Sequence, residues 1–203
     1  MIAIIDYGVG NPGSIHNMFQ YLGIASHITS SAEEIRAADK LLLPGVGAFD
    51  AGMKHLHESG LKVILDQEVL EKGKPILGIC LGMQMMTNGS EEGMLPGLMW
   101  IEAETMKFKT DAHSVLRIPH MGWNQIEINQ EHPLLTGLEG ENKFYFVHSF
   151  FVKVAEESDC AAKTLYGTEF TSVFARDNIM GVQFHPEKSH RYGMQVLKNF
   201  ANL

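Results

Sequence analysis

The sequence predicts an α/β protein with a mostly parallel central sheet, helices on both faces and a β-rich second half. Three observations carry this. The first half alternates short, wholly apolar runs with amphipathic segments, the order of a parallel sheet wound through crossover helices. The run Ile76–Ile79 leads straight into Gly78-Ile79-Cys80-Leu81-Gly82, the signature of a sharp strand-to-helix turn. After residue 97, short β-branched and aromatic runs follow one another with only turn residues between them.

The elements follow in order. Ile2–Asp6 reads as a strand, and Ser14–Leu22 as a helix after the turn Asn11-Pro12-Gly13. Ile24–Ile28 is a strand, Ala32–Ala37 a short helix, and Lys40–Leu43 a strand ending in Pro44-Gly45-Val46-Gly47. Helices are expected over 48–58 and 61–72, followed by the strand Ile76–Ile79. In the second half, strands are expected at Ile126–Ile128, Lys143–Val147, Ala161–Leu165, Thr171–Ala175 and Ile179–Gln183, and a helix over Tyr192–Ala201 closes the chain. No linker, repeat or low-complexity stretch interrupts this order, so residues 1–203 read as one domain.

Composition narrows the function classes. The 203 residues are 45% hydrophobic, enough for a real core, and the formal charge of −8 comes without a Lys/Arg cluster. That argues against a nucleic-acid or anionic-membrane surface. The start, Met1-Ile2-Ala3-Ile4-Ile5-Asp6, lacks the basic segment and cleavage site of a signal peptide, and no apolar run reaches the roughly 18 residues of a membrane span. The two cysteines, Cys80 and Cys160, have no metal-ligand spacing, so a reducing cytoplasm is expected, with neither metal nor cofactor.

A lone cysteine is ordinarily a small buried hydrophobe, and Cys160 reads that way. Cys80 differs because glycines flank it at a turn that holds its side chain above the sheet, beside unpaired N–H groups of a helix start. His185 and Glu187, in Gln183-Phe184-His185-Pro186-Glu187, are two residues apart. On a strand end they point to one side, so Glu187 can accept one imidazole N–H and leave the other nitrogen for Cys80. Without the cysteine turn, His-Pro-Glu would be an ordinary surface turn. Gln84 lies one helical turn after Cys80, on the same face, where it can hydrogen-bond a polar substrate. The Leu81 N–H, and one from the Gly45-Val46-Gly47 loop, are placed to hold an oxyanion. Gly8-Val9-Gly10-Asn11-Pro12-Gly13 also fits a dinucleotide fingerprint. The acid expected about 20 residues on is missing, since the segment reads Ser26-His27-Ile28-Thr29-Ser30. A dinucleotide-binding protein, or a catalytically silent binding module, is the reading from another class.

The turn Gly78–Gln84 together with Gly181-Val182-Gln183-Phe184-His185-Pro186-Glu187 resembles the class I (triad) glutamine amidotransferases, nearly end to end. Asp6-Tyr7-Gly8 with Asn11, Leu43-Pro44-Gly45-Val46-Gly47, Pro119-His120-Met121-Gly122-Trp123-Asn124 and Tyr145-Phe146-Val147-His148-Ser149 narrow the resemblance to the branch that serves histidine biosynthesis. It implies a flavodoxin-like fold, a Cys80–His185–Glu187 triad, and a glutamine site using Gln84, Ser149 and Phe150. Members commonly carry a tyrosine after the His-Ser/Thr pair, where this chain has Phe150-Phe151. It also implies a partner: a separate (β/α)8-barrel cyclase subunit, in a heterodimer, that uses the ammonia to make imidazole glycerol phosphate and aminoimidazole-carboxamide ribonucleotide. Asn11, Met121, Trp123, Tyr145 and Lys188 are expected near that partner. Another acceptor, such as a surface-polysaccharide sugar, is the alternative within the same family.

Overall fold

The structure, a computed structural model, describes residues 1–109, 116–138 and 140–203. Its spine is a run of parallel strands, apolar on both faces in the middle, as strands covered on both sides must be, and polar at the edge strand Ser26–Thr29. β1 (Ile2–Ile5), β2 (Ser26–Thr29), β3 (Lys40–Leu43) and β4 (Ile76–Ile79) come from the first half. Between them run α1 (Pro12–Tyr21), α2 (Ala32–Ala37), α3 (Phe49–Glu58) and α4 (Leu61–Asp66). Asn11 caps α1 by accepting from the Ser14 N–H, with Pro12 in the first turn, where its missing N–H costs nothing. α5 (Leu81–Met85) follows β4 directly.

The second half supplies β5 (Gly89–Ser90), β6 (Ala103–Lys107), β7 (His120–Gln125), β8 (Glu127–Ile128), β9 (Lys143–His148), β10 (Phe150–Val154), β11 (Cys160–Tyr166), β12 (Thr168–Arg176) and β13 (Ile179–Val182), then α6 (His190–Asn202). Among the described residues the main sheet runs β2-β1-β3-β4-β13-β12-β10-β6-β5, with β11 and β8 paired beyond β12. β13 lies parallel to β4 and antiparallel to β12, so it joins the parallel half to the antiparallel half. β7 and β9 form a separate antiparallel ribbon. Two apolar clusters pack on opposite faces of the sheet, one around Phe144, Phe146, Phe184 and Phe200, the other around Phe49, Leu56, Met83 and Phe174. No helix among the described residues is long and apolar enough to cross a membrane.

The expected parallel strands and the closing helix are present with bounds shifted by up to two residues. Two expectations change. The helix predicted over 61–72 is α-helical only to Asp66, and Gln67–Glu71 widens into a π-turn. There the buried Glu68 carboxylate accepts from Lys72 at 2.6 Å and meets Lys74 at 2.8 Å, and ion pairing holds its pKa below the usual range against its burial. The strand predicted at Ile126–Ile128 is only the edge pair Glu127–Ile128; the longer strand is β7, just before it. β7 and β6 escape a sequence reading because polar residues and Gly122, at φ +127°, break their apolar pattern.

Candidate active site

The cavity that matters opens where β3, β4 and β13 end, at the carboxyl edge of the parallel strands, as α/β sheets favour. It holds about 330 Å³ and is lined by Cys80, Leu81, Gln84, His148, Ser149, Phe150 and His185, with Val46, Gly47, Glu92, Pro119 and Val147 at its margin. A larger groove of about 610 Å³ lies elsewhere, between β8 and β11, and contains neither cysteine nor histidine.

Cys80 sits at φ +53°, ψ −108°, a conformation that costs a non-glycine residue roughly 1–3 kcal/mol. The bend itself is therefore in the cysteine. The flanking glycines serve close packing. A Cβ on Gly82 would lie 1.9 Å from the Leu43 carbonyl oxygen, and one on Gly78 would lie 2.8 Å from the Met83 nitrogen. Glycine is needed there so that α5 can press against β3 and β4.

β13 delivers His185. Its N–H donates to the Tyr145 carbonyl at 2.9 Å, and Pro186 starts a single 3-10 turn over Pro186–Lys188. That turn, rather than strand alternation, swings Glu187 back so that its Oε1 lies 2.9 Å from His185 Nδ1. Ser189 fixes the turn: its hydroxyl donates to the His185 carbonyl at 2.6 Å and accepts from the Tyr145 N–H at 2.9 Å. His185 Nε2 is buried and makes no hydrogen bond of ordinary geometry, although Cys80 lies close enough to act on it. Burial alone would lower the His185 pKa, but Cys80 and Glu187 overcome it and raise it to about 10. The imidazole thus carries its proton at neutral pH, facing the sulfur.

Gln84 meets the cavity differently from the expectation. Its amide nitrogen donates to the Phe150 carbonyl at 3.0 Å and to Gln183 Oε1 at 3.1 Å, so the group left for a substrate is its oxygen. One of the expected oxyanion donors is not free. The Leu81 N–H donates to the Gly45 carbonyl at 3.3 Å, so the hole is closed by the loop expected to complete it. Val46 and Gly47 reach the cavity margin, while Gly45 lies behind, against Leu81 and Gly82. In the fingerprint-like Gly8–Gly13 loop, Gly8 and Gly10 sit at φ +86° and +100°, where glycine is needed for the turn itself.

The residues expected near a partner gather away from the cavity. Met121 and Trp123 project from β7, 61% and 47% exposed. Trp123 stacks parallel to His190 with centroids 5.2 Å apart and meets the Tyr145 ring edge-on at 6.1 Å, while the Lys188 ammonium lies 5.8 Å from that ring. Asn11 caps the neighbouring helix α1, which packs on the turn carrying Lys188.

Sequence reasoning assigned no role to Gln183, Ser189, or the buried pair His120 and His148. His148 Nδ1 donates to the Phe150 carbonyl at 2.7 Å, and His120 Nδ1 lies 2.9 Å from His148 Nε2. Only their presence in the Pro119–Asn124 and Tyr145–Ser149 segments could have marked them. Burial pushes the His120 pKa down to about 4 and that of His148 to about 3, so both are neutral in the folded chain. Unfolded histidines titrate near 6.5, so below that pH the unfolded chain takes up protons the folded one refuses, and stability falls with pH. His148 alone should cost on the order of 2 kcal/mol by pH 5, with His120 adding a smaller amount. His185 acts oppositely, contributing stability below about 6.5 that is lost as pH rises through about 10. Urea denaturation should therefore show a marked loss of stability from pH 7 to pH 5, and a flat profile there would contradict the neutral buried pair.

A cysteine at a strained turn beside a buried histidine–glutamate pair, on this fold, is the arrangement of the glutamine amidotransferase class. Residues 3–203 match the family model described as Glutamine amidotransferase class-I, and the chain belongs to that family. Its relatives include the imidazole glycerol phosphate synthase subunits HisH 2 of Pseudomonas aeruginosa (48% identical, all of both chains) and of Methanococcus maripaludis (50% identical, 98% of each). HisH of Leptospira interrogans is 43% identical over the whole of both chains. A solved glutamine amidotransferase superposes with TM-score 0.75 at 18% identity, covering all of both chains, and one from Thermotoga maritima with 0.62 at 14%, covering 99% of this chain and 82% of that one. At such identities these two speak for the fold.

Proposed function

We propose that the chain is the glutamine-hydrolysing subunit of an imidazole glycerol phosphate synthase, with Cys80 as nucleophile and His185, oriented by Glu187, as its acid and base. The observation that carries this is the buried His185–Glu187 pair facing Cys80 across the cavity floor. The Cys80 thiolate attacks the carboxamide carbon of glutamine. The tetrahedral intermediate collapses to a thioester as the His185 proton passes to the departing ammonia. His185 then takes a proton from water, which attacks the thioester; glutamate leaves and the thiol is restored. Gln84, Ser149 and Phe150 line the cavity that would hold the substrate. Residues 1–203 act as a single glutamine amidotransferase domain, and the cytoplasm fits its two unpaired cysteines.

The ammonia passes to a (β/α)8-barrel cyclase subunit, where it meets a phosphoribulosyl aminoimidazole-carboxamide nucleotide. The relatives' names support a partner subunit, and the exposed Trp123–Tyr145–Lys188 patch with Met121 and Asn11 suits an aromatic anchor. A glutamine-like chloroketone should label Cys80, which lines the cavity, and spare Cys160, which is fully buried. Peptide mapping that found label mainly on Cys160 would overturn the nucleophile. Trp123→Ala should weaken assembly with the cyclase by about 2 kcal/mol while chloroketone labelling of Cys80 persists; unchanged affinity by calorimetry would remove the patch from the interface. Glutamate release by the complex without imidazole glycerol phosphate would point instead to another acceptor, such as a sugar.

A further inference from the structure

A hydrogen-bonded chain runs from strand β7 to the Cys80 sulfur, and its direction is forced at both ends. The Phe150 carbonyl can only accept, so Gln84 must present its nitrogen there, and the second N–H of that nitrogen requires Gln183 to present its oxygen, at 3.1 Å. The Gln183 amide nitrogen therefore faces the Cys80 sulfur, at 3.7 Å, an ordinary length for a sulfur acceptor. The same carbonyl requires a proton on His148 Nδ1, so neutral His148 accepts at Nε2 from His120 Nδ1. His120 Nε2 then accepts from the Asn124 amide at 3.2 Å, whose nitrogen is independently fixed by donation to the Leu165 carbonyl at 3.1 Å. The two ends agree only with both histidines neutral. Gln84, Gln183, His120 and His148 are all more than nine-tenths buried, so solvent offers them no alternative partners.

We propose that Gln183 is a positioning residue for glutamine hydrolysis: its amide N–H donates to the Cys80 sulfur, and its oxygen holds Gln84 so that the Gln84 oxygen faces the substrate. The inference rests on the glutaminase reading of Cys80. The donor favours the thiolate, as a hydrogen bond to a charged acceptor does. The fixed Gln84 oxygen favours a substrate that offers N–H groups, as a primary carboxamide with an α-ammonium does.

The two functions separate by substitution in the full chain. Gln183→Glu keeps an acceptor for Gln84 but turns an oxygen toward the sulfur. Alkylation of Cys80 by iodoacetamide at fixed pH, and kcat, should fall about tenfold or more, with KM for glutamine little changed. Gln183→Met removes both contacts, so the same loss of alkylation should be joined by a roughly tenfold rise in KM. A thermal melt checks folding of each variant, and Gln183→Met, which buries no charge, answers if the glutamate variant fails to fold. Cys80 alkylation at the wild-type rate in Gln183→Met, or equal KM values in the two variants, would overturn the proposal. Absence of glutamate release by the wild-type complex would instead sink the glutaminase reading, while the alkylation ratio would still report the Gln183–Cys80 contact.

Discussion

Replacing Cys80 by alanine should abolish glutamine hydrolysis and leave ammonia-dependent synthesis by the assembled complex intact. The nucleophile is removed outright, so the loss should be about 10⁴-fold or more, the scale seen when a member of a catalytic triad is lost. His185, Glu187 and the cavity keep their places, because Glu187 and the Ser189 turn still hold His185, and the deleted sulfur lies at the end of β4 rather than within its ladder. Stability should change by less than about 1 kcal/mol, since alanine keeps the same strained backbone. Cys80→Gly sharpens the point. Glycine adopts φ +53° without penalty, so this variant should be inactive yet melt higher, the relieved strain being worth roughly 1 kcal/mol. Glutamate release by the Cys80→Ala complex at the wild-type rate would show that the nucleophile lies elsewhere. A lower melting point for Cys80→Gly would show that the turn is unstrained.

The second large effect is activation by the partner. Alone, the chain should hydrolyse glutamine slowly, because the Leu81 N–H is occupied by the Gly45 carbonyl. That carbonyl belongs to the Gly45–Val46 peptide. Turning the peptide plane over withdraws the oxygen, frees the Leu81 N–H and swings the Val46 N–H toward the cavity. The hinges suit such a turn: Tyr7 Oη donates to the Pro44 carbonyl at 2.7 Å and holds one side, while Gly47, at φ +108°, leaves the other side soft. Each oxyanion donor is worth about 10²–10³ in rate, so restoring even one should raise turnover by about 10²-fold or more when cyclase and acceptor nucleotide are bound. The assay compares glutamate release by the chain alone, with cyclase, and with cyclase and nucleotide. Equal rates in all three would make this a free-standing glutaminase with no closed hole.

What could be read from the sequence was local. Wholly apolar four-residue runs announced parallel strands, because a strand covered on both faces has no polar position to spare. Cys80 between glycines and His185-Pro186-Glu187 announced the strained cysteine turn and the histidine–glutamate pair, because each depends on residues within a turn of one another. The reason for the glycines was not legible, since the close approach of α5 to Leu43 involves a strand nearly forty residues away. Of the ribbon, β9 was legible from the alternation of Phe144, Phe146 and His148, but β7 was not, because its inward positions are held by His120, Gly122 and Asn124 rather than by apolar side chains. Tertiary structure alone decided that Gly45 closes on Leu81, that Ser189 ties His185 to Tyr145, and that Gln183 links Cys80 to Gln84. These are hydrogen bonds between segments up to about a hundred residues apart. A hydrogen bond exists only when distance and angle are both met, and no spacing along the chain encodes those for groups that the fold alone brings together.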